Sequence, residues 1–541
     1  MSQSEYDTIV IGSGAGGLAA AVALAQAGLK VLVCEQHEVP GGWTHSFTLE
    51  GYRFNTGVHY IGELGKGERL RCIYEGLGVS QDLTFLELNP DGYDHIFLGN
   101  EQFDIPKGKE AYIARLKERF PQEANGIDRL FQKISDMYWV LVKIVDEEWP
   151  SVLRRPTALP WFARSGGALI NHYVKNPLLR AVLTAQSGDH GMPPSRVSAA
   201  IHAAVMHHYF EGGYHPRGGG MTIARAFVRA LRRAGGEVRL QTPVQRILLD
   251  GRQAVGVELP GAEILHARYI VSNADPEVTF GRLIGREHLS RRLRRRLDKV
   301  GYSTSCLSLY LAVDCDLKAM GLDSGNYWIY DYADVDRICR QGLTDYAAHH
   351  PPPVLFVTVT TLKDPSKMHR GHHQLEVFTF VSYDAFARWD NQPSGDRDSD
   401  YQQLKARIAQ RMLTVLDRRF PGIKEAVVFQ NLATPLTNAH YINAHRGNMY
   451  GIDKGVWQAG PLGFRARTEF RNLYLCGAST MANGIAYATN TGLTAAAQIL
   501  RCHPRDLLRQ NGPELRIYPC DNLSQWPEHV RKRIERGTIR P

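Results

Sequence analysis

The segment 53–62, RFNTGVHYIG, places two titratable side chains next to each other in a largely apolar stretch. His59 can give or take a proton near neutral pH, and Tyr60 carries a phenol that can donate or accept a hydrogen bond. If the segment is extended, its side chains alternate, so that Gly57 and His59 share one face and Tyr60 lies on the other. The pair is therefore either a reactive site or a hydrogen-bonded part of the core, depending on the elements that hold it.

Other residues that could do chemistry lack the spacing that it needs. The histidines form three groups, but none has the HExxH arrangement and no carboxylate recurs at ligand spacing. No GxSxG elbow or catalytic-cysteine signature is present, and the eight cysteines contain no CxxC pair. The sequence therefore predicts no metal site, no hydrolase chemistry and, because the N-terminus does not read as a secretory signal, a reduced cytoplasmic protein.

Composition sets broad limits on the fold and its partners. A chain of 541 residues with 43% hydrophobic and 22% charged residues predicts a folded protein with more than one lobe. Part of the net charge of +9 lies in residues 288–299, where leucines recur every four residues between arginines, which predicts an amphipathic helix. Such a helix has either a solvated face or an attraction to anionic membranes. Nucleic acid is not expected, because no aromatic residues interleave with these arginines.

Residues 473–500 contain no charged side chain and are long enough to cross a bilayer. Glycine, serine, threonine and asparagine residues interrupt the stretch and divide it into a strand, a turn and an alanine-rich helix. We therefore predict no transmembrane segment here.

Residues 7–35 have the pattern of a complete βαβ unit. Strand 8–11 leads into a glycine-rich loop, an alanine-rich helix to about residue 27 and a second strand, 30–34; the loop is Gly12, Ser13, Gly14, Ala15, Gly16 and Gly17. Gly12 would make the tight turn, Gly14 would let the backbone approach a pyrophosphate, and Gly17 would let the helix lie close to the strand. The helix N-terminus favours phosphate charge, and Glu35 is placed to accept hydrogen bonds from ribose hydroxyls. The unit predicts a binding site for the adenosine diphosphate part of a dinucleotide.

FAD fits the pattern better than NAD. Only one such unit occurs, and it is followed closely by Gly41 and Gly42, whose backbone could pass under an extended cofactor. Residues 235–259 and 471–480 supply further strand patterns from the middle and end of the chain. A cofactor bound by three distant segments is typical of FAD.

These features together resemble the phytoene desaturase-like flavoproteins, which include carotenoid desaturases, carotenoid isomerases and retinol saturases. The resemblance covers most of the chain; the matching segments are 10–42, 214–247, IVSNADP at 270–276 and LYLCGASTMANGIAYATNTGL at 473–493. Segment 51–62 and KDP at 363–365 are most similar to the retinol saturase branch. The chain differs from the family at Asn55, where an aspartate is usual, and at Trp43, where desaturases commonly have arginine.

The resemblance implies an α/β fold, in which a Rossmann-type FAD-binding domain of the glutathione reductase/amine oxidase type is interwoven with an α+β substrate-binding domain. We expect the FAD-binding domain to comprise residues 1–80, 215–300 and 440–502. The substrate-binding or cap domain would comprise residues 81–214 and 301–439, with a C-terminal tail at 503–541.

The resemblance also assigns roles to residues outside the βαβ unit. Val244 would meet the adenine through its backbone, and Gly477, Gly484 and Ile485 would flank the pyrophosphate and the flavin. A helix that begins between residues 484 and 491 would stabilise negative charge on the reduced flavin ring. Gly57 and Val58 would lie against the flavin. With Gly57 there, His59 would face the ring or the substrate as a proton donor or a polyene-positioning residue. Tyr60, the second catalytic candidate, would face the lobe behind as a hydrogen-bonded core phenol.

The implied activity is flavin-dependent chemistry on carbon–carbon double bonds of a retinoid, carotenoid or related polyisoprenoid. Saturation is the main expectation, with isomerisation or desaturation by the same flavin as alternatives. A lipid-binding flavoprotein whose FAD is structural is an alternative of another class. Residues 149–170 mix aromatic and aliphatic residues with arginines, which suits either a peripheral membrane patch or a buried cap. The electron donor and the oligomeric state are not indicated.

Overall fold

The computed structural model describes residues 5–146 and 148–535. The strands are β1 (Tyr6–Ile11), β2 (Val31–Cys34), β3 (Ser46–Leu49), β4 (Tyr52–Asn55), β5 (Thr84–Glu87), β6 (Asp94–Leu98), β7 (Glu101–Ile105), β8 (Tyr214–Pro216), β9 (Glu237–Arg239), β10 (Arg246–Asp250), β11 (Gln253–Glu258), β12 (Ile264–Ser272), β13 (Ser305–Val313), β14 (Asn326–Tyr330), β15 (Val354–Val359), β16 (His373–Val381), β17 (Val427–Ala433), β18 (Leu473–Leu475) and β19 (Arg516–Pro519).

The α-helices are α1 (Ala15–Gln26), α2 (Arg69–Gly76), α3 (Lys109–Arg119), α4 (Ala124–Val145), α5 (Trp149–Val152), α6 (Gly166–Tyr173), α7 (Pro177–Thr184), α8 (Ala199–His208), α9 (Met221–Arg233), α10 (Arg291–Lys299), α11 (Val335–Gln341), α12 (Tyr346–His349), α13 (Thr360–Lys363), α14 (Ser399–Arg419), α15 (Pro435–Ile442), α16 (Ile485–Leu500) and α17 (Glu528–Glu535). Short 3₁₀ turns connect several of them.

The first large sheet contains the predicted βαβ unit. Its parallel strands lie in the order β18-β12-β1-β2-β9, and the hairpin β10-β11 extends it along the first half of β12. Strands β1 and β2 are apolar and almost completely buried, as expected when helices cover both faces of a parallel sheet. Helices α1 and α16 pack against each other beside it. The predicted Rossmann-type α/β architecture is confirmed.

The second large sheet is mixed and has the order β17-β13-β16-β15-β14-β6-β7, in which only the β14–β6 pairing is parallel. Its central strands are apolar and buried, and β16 carries the buried carboxylate of Glu376 among them. A buried carboxylate needs hydrogen-bond donors or a cation beside it, so this position indicates a polar site within the core.

Two small sheets connect the rest of the chain. Strand β5 pairs with β8 and with β19, so residues 516–519 of the predicted C-terminal tail are part of the fold. Strands β3 and β4 form a hairpin that ends at Asn55. The predicted domain limits also include residues 1–4 and 536–541, which lie outside the described residues.

The extended conformation considered for residues 53–62 is wrong beyond Asn55. The chain bends at residues 56–60, where the Thr56 hydroxyl lies 2.9 Å from the carbonyl oxygens of both Trp43 and His45. Regular pairing resumes only as an isolated bridge between Ile61 and Tyr214. Because the backbone turns, strict alternation of side chains fails, and His59 and Tyr60 both reach the same cavity.

The segments considered for membrane contact have different environments. In residues 149–170, Trp161 is buried and Phe162 packs against the interior, whereas Leu153 is 70% exposed. Helix α10 confirms the predicted amphipathic helix, with Leu297 buried and most of its arginines exposed. No helix in residues 5–146 and 148–535 is long and apolar enough to cross a membrane.

Within the same residues, no group of three or more histidine, cysteine or acidic side chains could hold a metal ion.

Candidate active site

One cavity collects nearly all of the predicted site residues. It is lined by the ends of β1 and β2, the first turns of α1 and α16, and side chains of β13, β15 and β16 from the second sheet. The predicted residues on its wall are Gly12, Ser13, Gly14, Ala15, Gly16, Glu35, Gly41, Gly42, Gly57, Val58, His59, Tyr60, Val244, Gly477, Gly484 and Ile485. Gly17 lies just outside the lining. A Cβ at Gly17 would come within 2.2 Å of the Gly12 carbonyl oxygen, so its role is close packing of helix against strand, as expected.

The outer part of the cavity is built mainly from backbone; we call it the cradle (residues 12–17, 35, 41–42, 244, 477 and 484–485). Glu35 follows β2, and its Oε2 accepts hydrogen bonds from the backbone N–H (2.8 Å) and the hydroxyl (2.6 Å) of Ser13. The Ser13 hydroxyl oxygen in turn accepts the Gly41 N–H at 3.0 Å. One acid thus fixes both glycine segments at the end of the sheet.

The side chain of Asn273 fills the space that the glycines of the cradle leave open. A Cβ at Gly14 would lie 2.5 Å from the Asn273 Nδ2, and one at Gly477 would lie 2.6 Å from its Oδ1. Asn273 Oδ1 also accepts the N–H of Gly17 at 3.1 Å. The glycine at position 14 is therefore required for packing against Asn273 as well as for access to the cavity, which the loop pattern alone does not show.

Two helix N-termini face the cavity without side-chain caps. Gly14 precedes α1 and Gly484 precedes α16, and neither first turn contains an acidic residue. Gly484 has a positive φ of 85°, and a Cβ there would meet nothing within 4 Å, so it leaves the cavity open beside the helix. Uncapped N–H groups and the helix dipole make both positions favourable for negative charge.

The inner part of the cavity is formed by side chains; we call it the inner cavity (His59, Tyr60, Asp189, Phe356 and Phe378). The ring centroid of His59 lies 5.4 Å from that of Phe356 and 5.5 Å from that of Phe378. Aromatic walls around one titratable ring suit an apolar ligand with few hydrogen-bonding groups.

Glu376 holds the ring of His59. The His59 Nδ1 lies 2.8 Å from Oε2 of Glu376, and the other carboxylate oxygen accepts the backbone N–H of Asn55 at 2.6 Å and its side-chain amide at 3.1 Å. Three donors therefore satisfy the buried carboxylate. The His59 Nδ1–H donates to Glu376, which leaves Nε2 as the ring nitrogen available for a ligand.

Tyr60 is a buried phenol whose ring stacks on Tyr209 with 4.4 Å between centroids. Its hydroxyl oxygen lies 3.0 Å from Oδ2 of Asp94 and 2.9 Å from Oδ2 of Asp189. Tyr60 thus combines two features that the sequence pattern presented as alternatives: it is a hydrogen-bonded part of the core, and it also lines the cavity.

Comparison with known proteins places the chain among flavoproteins. Residues 15–500 match the family described as "Flavin containing amine oxidoreductase". The chain belongs to this family. The structure is similar to that of an oxidoreductase from Methanosarcina mazei (TM-score 0.60, 17% identity, 90% of this chain and 99% of that one). It is also similar to cyclohexylamine oxidase from Brevibacterium oxydans (TM-score 0.59, 17% identity, 92% and 99%), which supports the fold.

Relatives with higher sequence identity are named as retinol reductases or prolycopene isomerases. The all-trans-retinol 13,14-reductase of Danio rerio is 33% identical over 92% of this chain and 86% of its own length. The corresponding protein of Homo sapiens is 31% identical over 92% and 86%. A prolycopene isomerase of Arabidopsis thaliana is 26% identical over 92% and 83%. The expected resemblance to the retinol saturase and carotenoid isomerase group is confirmed.

The protein is a flavin-dependent oxidoreductase, and FAD is its cofactor. The cradle fits the expected mode of binding: the α1 N-terminus and the loop 12–17 suit the pyrophosphate, and Glu35 and Val244 suit the adenosine. The N-terminus of α16 suits the part of the flavin that becomes negative on reduction. The individual contacts of these residues with FAD stay predictions.

Three residues around the site could not be identified from local sequence signals. Glu376 lies 317 positions from His59, and Asp189 lies 129 positions from Tyr60. Asn273 belongs to the segment IVSNADP, which the family resemblance marks without indicating what its asparagine does. Lys363 belongs to the KDP segment, which the family resemblance also marks without indicating a role for the lysine. Its buried Nζ lies 3.3 Å from the His59 carbonyl oxygen.

Proposed function

We propose that this protein saturates a carbon–carbon double bond of a retinoid, carotenoid or related polyisoprenoid. The observation that carries the proposal is that the cradle and the inner cavity, which has aromatic walls and acid–base groups, are parts of one cavity. The names of the relatives that are 30–33% identical support the choice of substrate and reaction. An amine substrate receives less support, because four relatives that are 30–33% identical carry the name all-trans-retinol 13,14-reductase.

Saturation of an alkene needs a hydride on one carbon and a proton on its neighbour. Reduced FAD supplies the hydride when it is bound. The aromatic walls of the inner cavity suit a polyene, and acid–base side chains lie on the same wall, so we propose that a side chain supplies the proton. We propose that His59 acts directly on the substrate, either as this donor or by positioning the polyene.

Two variants of His59 separate these roles. His59→Asn places an amide N–H at the position of Nδ1, where it can donate to Glu376, but cannot titrate; His59→Phe keeps a ring and loses the hydrogen bond. If His59 donates the proton, both variants should lower kcat by about 100-fold or more with FAD retained. If it positions the polyene, both variants should mainly raise KM and keep most of kcat, because neither retains a ring that Glu376 holds in place. Full turnover in His59→Phe would remove His59 from the reaction.

Isomerisation of a polyene is the second candidate, and the similarity to prolycopene isomerases favours it. The same cavity would serve, but no net transfer of electrons would reach the product. A lipid-binding role with a structural FAD is the candidate of another class.

Anaerobic flavin spectroscopy distinguishes a redox role from a structural one. The purified holoprotein would be reduced with dithionite, freed of excess reductant and mixed with retinol or a carotenoid. We expect the oxidised flavin spectrum to return as the polyene is saturated. A flavin that stays reduced with every polyene would contradict the proposed redox function.

We also propose that the protein associates peripherally with membranes to collect its water-insoluble substrate. The exposed apolar side chains next to basic residues support this. Trp457 is 80% exposed and Leu462 is 50% exposed, and the Leu462 carbonyl accepts a hydrogen bond from Arg296 of the arginine-rich helix α10 at 2.8 Å. Apolar side chains beside arginines favour an anionic interface.

A further inference from the structure

Tyr60 makes more contacts with carboxyl groups than its single proton can serve. Its hydroxyl oxygen lies within hydrogen-bond distance of Asp94 and of Asp189. The phenol can donate to only one of them. The second contact is a hydrogen bond only if the other carboxyl carries a proton and donates it to the phenol oxygen. The three side chains must therefore hold one proton more than the phenol supplies.

Asp94 has the surroundings of the ionised member of the pair. It is completely buried on β6, and it accepts hydrogen bonds from the Gln186 amide at 2.8 Å and the Asn326 amide at 3.1 Å. With Tyr60 as the third donor, its two oxygens are well satisfied as a carboxylate. Lys363 supplies positive charge nearby: its Nζ donates to the Asn326 side-chain oxygen and lies 5.9 Å from the centre of the Tyr60 ring.

Asp189 has the surroundings of the protonated member. Its side chain lines the cavity, and its Oδ2 lies 2.9 Å from the Tyr60 hydroxyl. Burial, with the charge of Asp94 beside it, raises the pKa of Asp189 well above its ordinary value. Burial also raises the pKa of Asp94, to about 6, although three hydrogen bonds oppose the shift. Because two interacting carboxyls titrate as a unit, the proton belongs to the pair, and Asp189 is the better site for it.

We propose that Asp189 donates the proton that completes saturation of the double bond, and that His59 positions the polyene. The inference rests on the proposed function. The alkene carbon next to the one that receives the hydride takes the proton from the Asp189 O–H, leaving a carboxylate. Reduced FAD is the two-electron donor, so the product gains one hydride and one proton and the charges balance. Asp189 suits this role because it brings a neutral, proton-bearing group into an aromatic cavity.

The surroundings of Asp189 also accommodate the charge that is left behind. Before transfer, the Tyr60 O–H donates to Asp94 and accepts from Asp189. After transfer, the same O–H can turn to the new carboxylate, while Asp94 keeps the amides of Gln186 and Asn326. Lys363 acts on Asp94, because its positive charge lowers the pKa of that carboxyl. Tyr60 and Lys363 are accordingly positioning residues, and Asp189 is the donor.

Infrared spectroscopy tests the protonated state without relying on turnover. At neutral pH, the holoprotein should show the carbonyl stretch of a buried protonated carboxylic acid, and the band should shift in D₂O. Asp189→Asn should remove this band, and Tyr60→Phe should shift it because one hydrogen bond is lost. Asp384→Asn, at a carboxyl that is 67% exposed, should leave it unchanged. A band that persists unchanged in Asp189→Asn would overturn the assignment.

Single-turnover reduction of retinol and carotenoids by dithionite-reduced holoprotein tests the transfer itself. Asp189→Asn should bind FAD and be reduced by dithionite like wild type. Its rate of product formation should be at least about 100-fold lower. Product formation at the wild-type rate would overturn the donor role and leave the proposed function intact. A wild-type protein that reduces no polyene would overturn both, whatever the infrared band shows.

Discussion

The cradle and the inner cavity belong to the same cavity but are built in different ways. The cradle relies on glycines, backbone N–H groups and two helix N-termini, with Glu35 and Asn273 fixing their positions. The inner cavity relies on side chains that hold each other through hydrogen bonds, such as His59 with Glu376 and Tyr60 with its two carboxyls.

This difference separates binding of the cofactor from selection of the reaction. A backbone cradle can hold FAD whatever the side chains farther in do, so one cradle can serve many reactions. The inner cavity decides which bond lies at the flavin and which group exchanges a proton. Changes in the cradle should therefore remove the cofactor, whereas changes in the inner cavity should leave FAD bound and alter turnover.

The largest effect is expected for Gly17→Val. Its side chain would collide with the Gly12 carbonyl, where even a Cβ would lie 2.2 Å away. We expect the variant to purify without FAD or to fail to fold, measured by flavin absorbance and thermal unfolding. Ala27→Val, at an exposed position next to the end of α1, is the matched control and should keep its flavin. Full FAD content in Gly17→Val would show that helix and strand need not pack this closely.

The next largest effect is expected for Glu376→Gln. The amide keeps the shape of the side chain but removes its negative charge. It also replaces one of the carboxylate oxygens that accept hydrogen bonds from His59 and Asn55. We expect FAD content to stay at the wild-type level while kcat/KM with a polyene falls at least about tenfold. Glu258→Gln, at a half-buried carboxylate on β11, serves as the control. Loss of FAD from Glu376→Gln would contradict the separation of the two regions.

A smaller effect is expected in the pH dependence of stability, through Lys363. Burial lowers the pKa of this ammonium from 10.5 to about 8 in the folded protein. Between these values the unfolded chain binds more protons, so folding becomes more favourable as the pH rises. The unfolding free energy of wild type relative to Lys363→Met should therefore rise by up to roughly 3 kcal/mol between pH 8 and 10.5.

Urea unfolding at several pH values measures this difference. Lys318→Met removes an exposed lysine and should show no such rise relative to wild type. If the difference between wild type and Lys363→Met did not change with pH, burial would not lower the pKa of Lys363. The role of Lys363 in offsetting the charge of Asp94 would then lose support.

The smallest effect is expected at the membrane face. The double variant Trp457→Ser with Leu462→Ser should bind vesicles that contain anionic lipids several-fold more weakly, in a sedimentation assay, with purified turnover unchanged. Val428→Ser, at another side chain that is 50% exposed, is the control. Equal sedimentation of the double variant and wild type would contradict the membrane proposal.

The sequence predicted the cradle better than the inner cavity because the cradle's signals are local. The βαβ unit is confirmed within two residues at each predicted boundary, and α16 begins at Ile485, within the expected interval. The partners of His59 and Tyr60 lie on distant strands and turns, which no spacing in one sequence could show. Alternation in segment 53–62 failed for a local reason: the chain bends at Thr56, whose hydroxyl oxygen lies 2.9 Å from the carbonyl oxygens of both Trp43 and His45.

The most direct test of the proposed function is to weigh the products. Dithionite-reduced holoprotein would be incubated anaerobically with retinol and a set of carotenoids, and each product would be analysed by mass spectrometry. The account predicts a product that has gained two hydrogens. A product of unchanged mass with a new retention time would instead indicate an isomerase. A product that has lost two hydrogens, or no product from any polyene, would also contradict saturation.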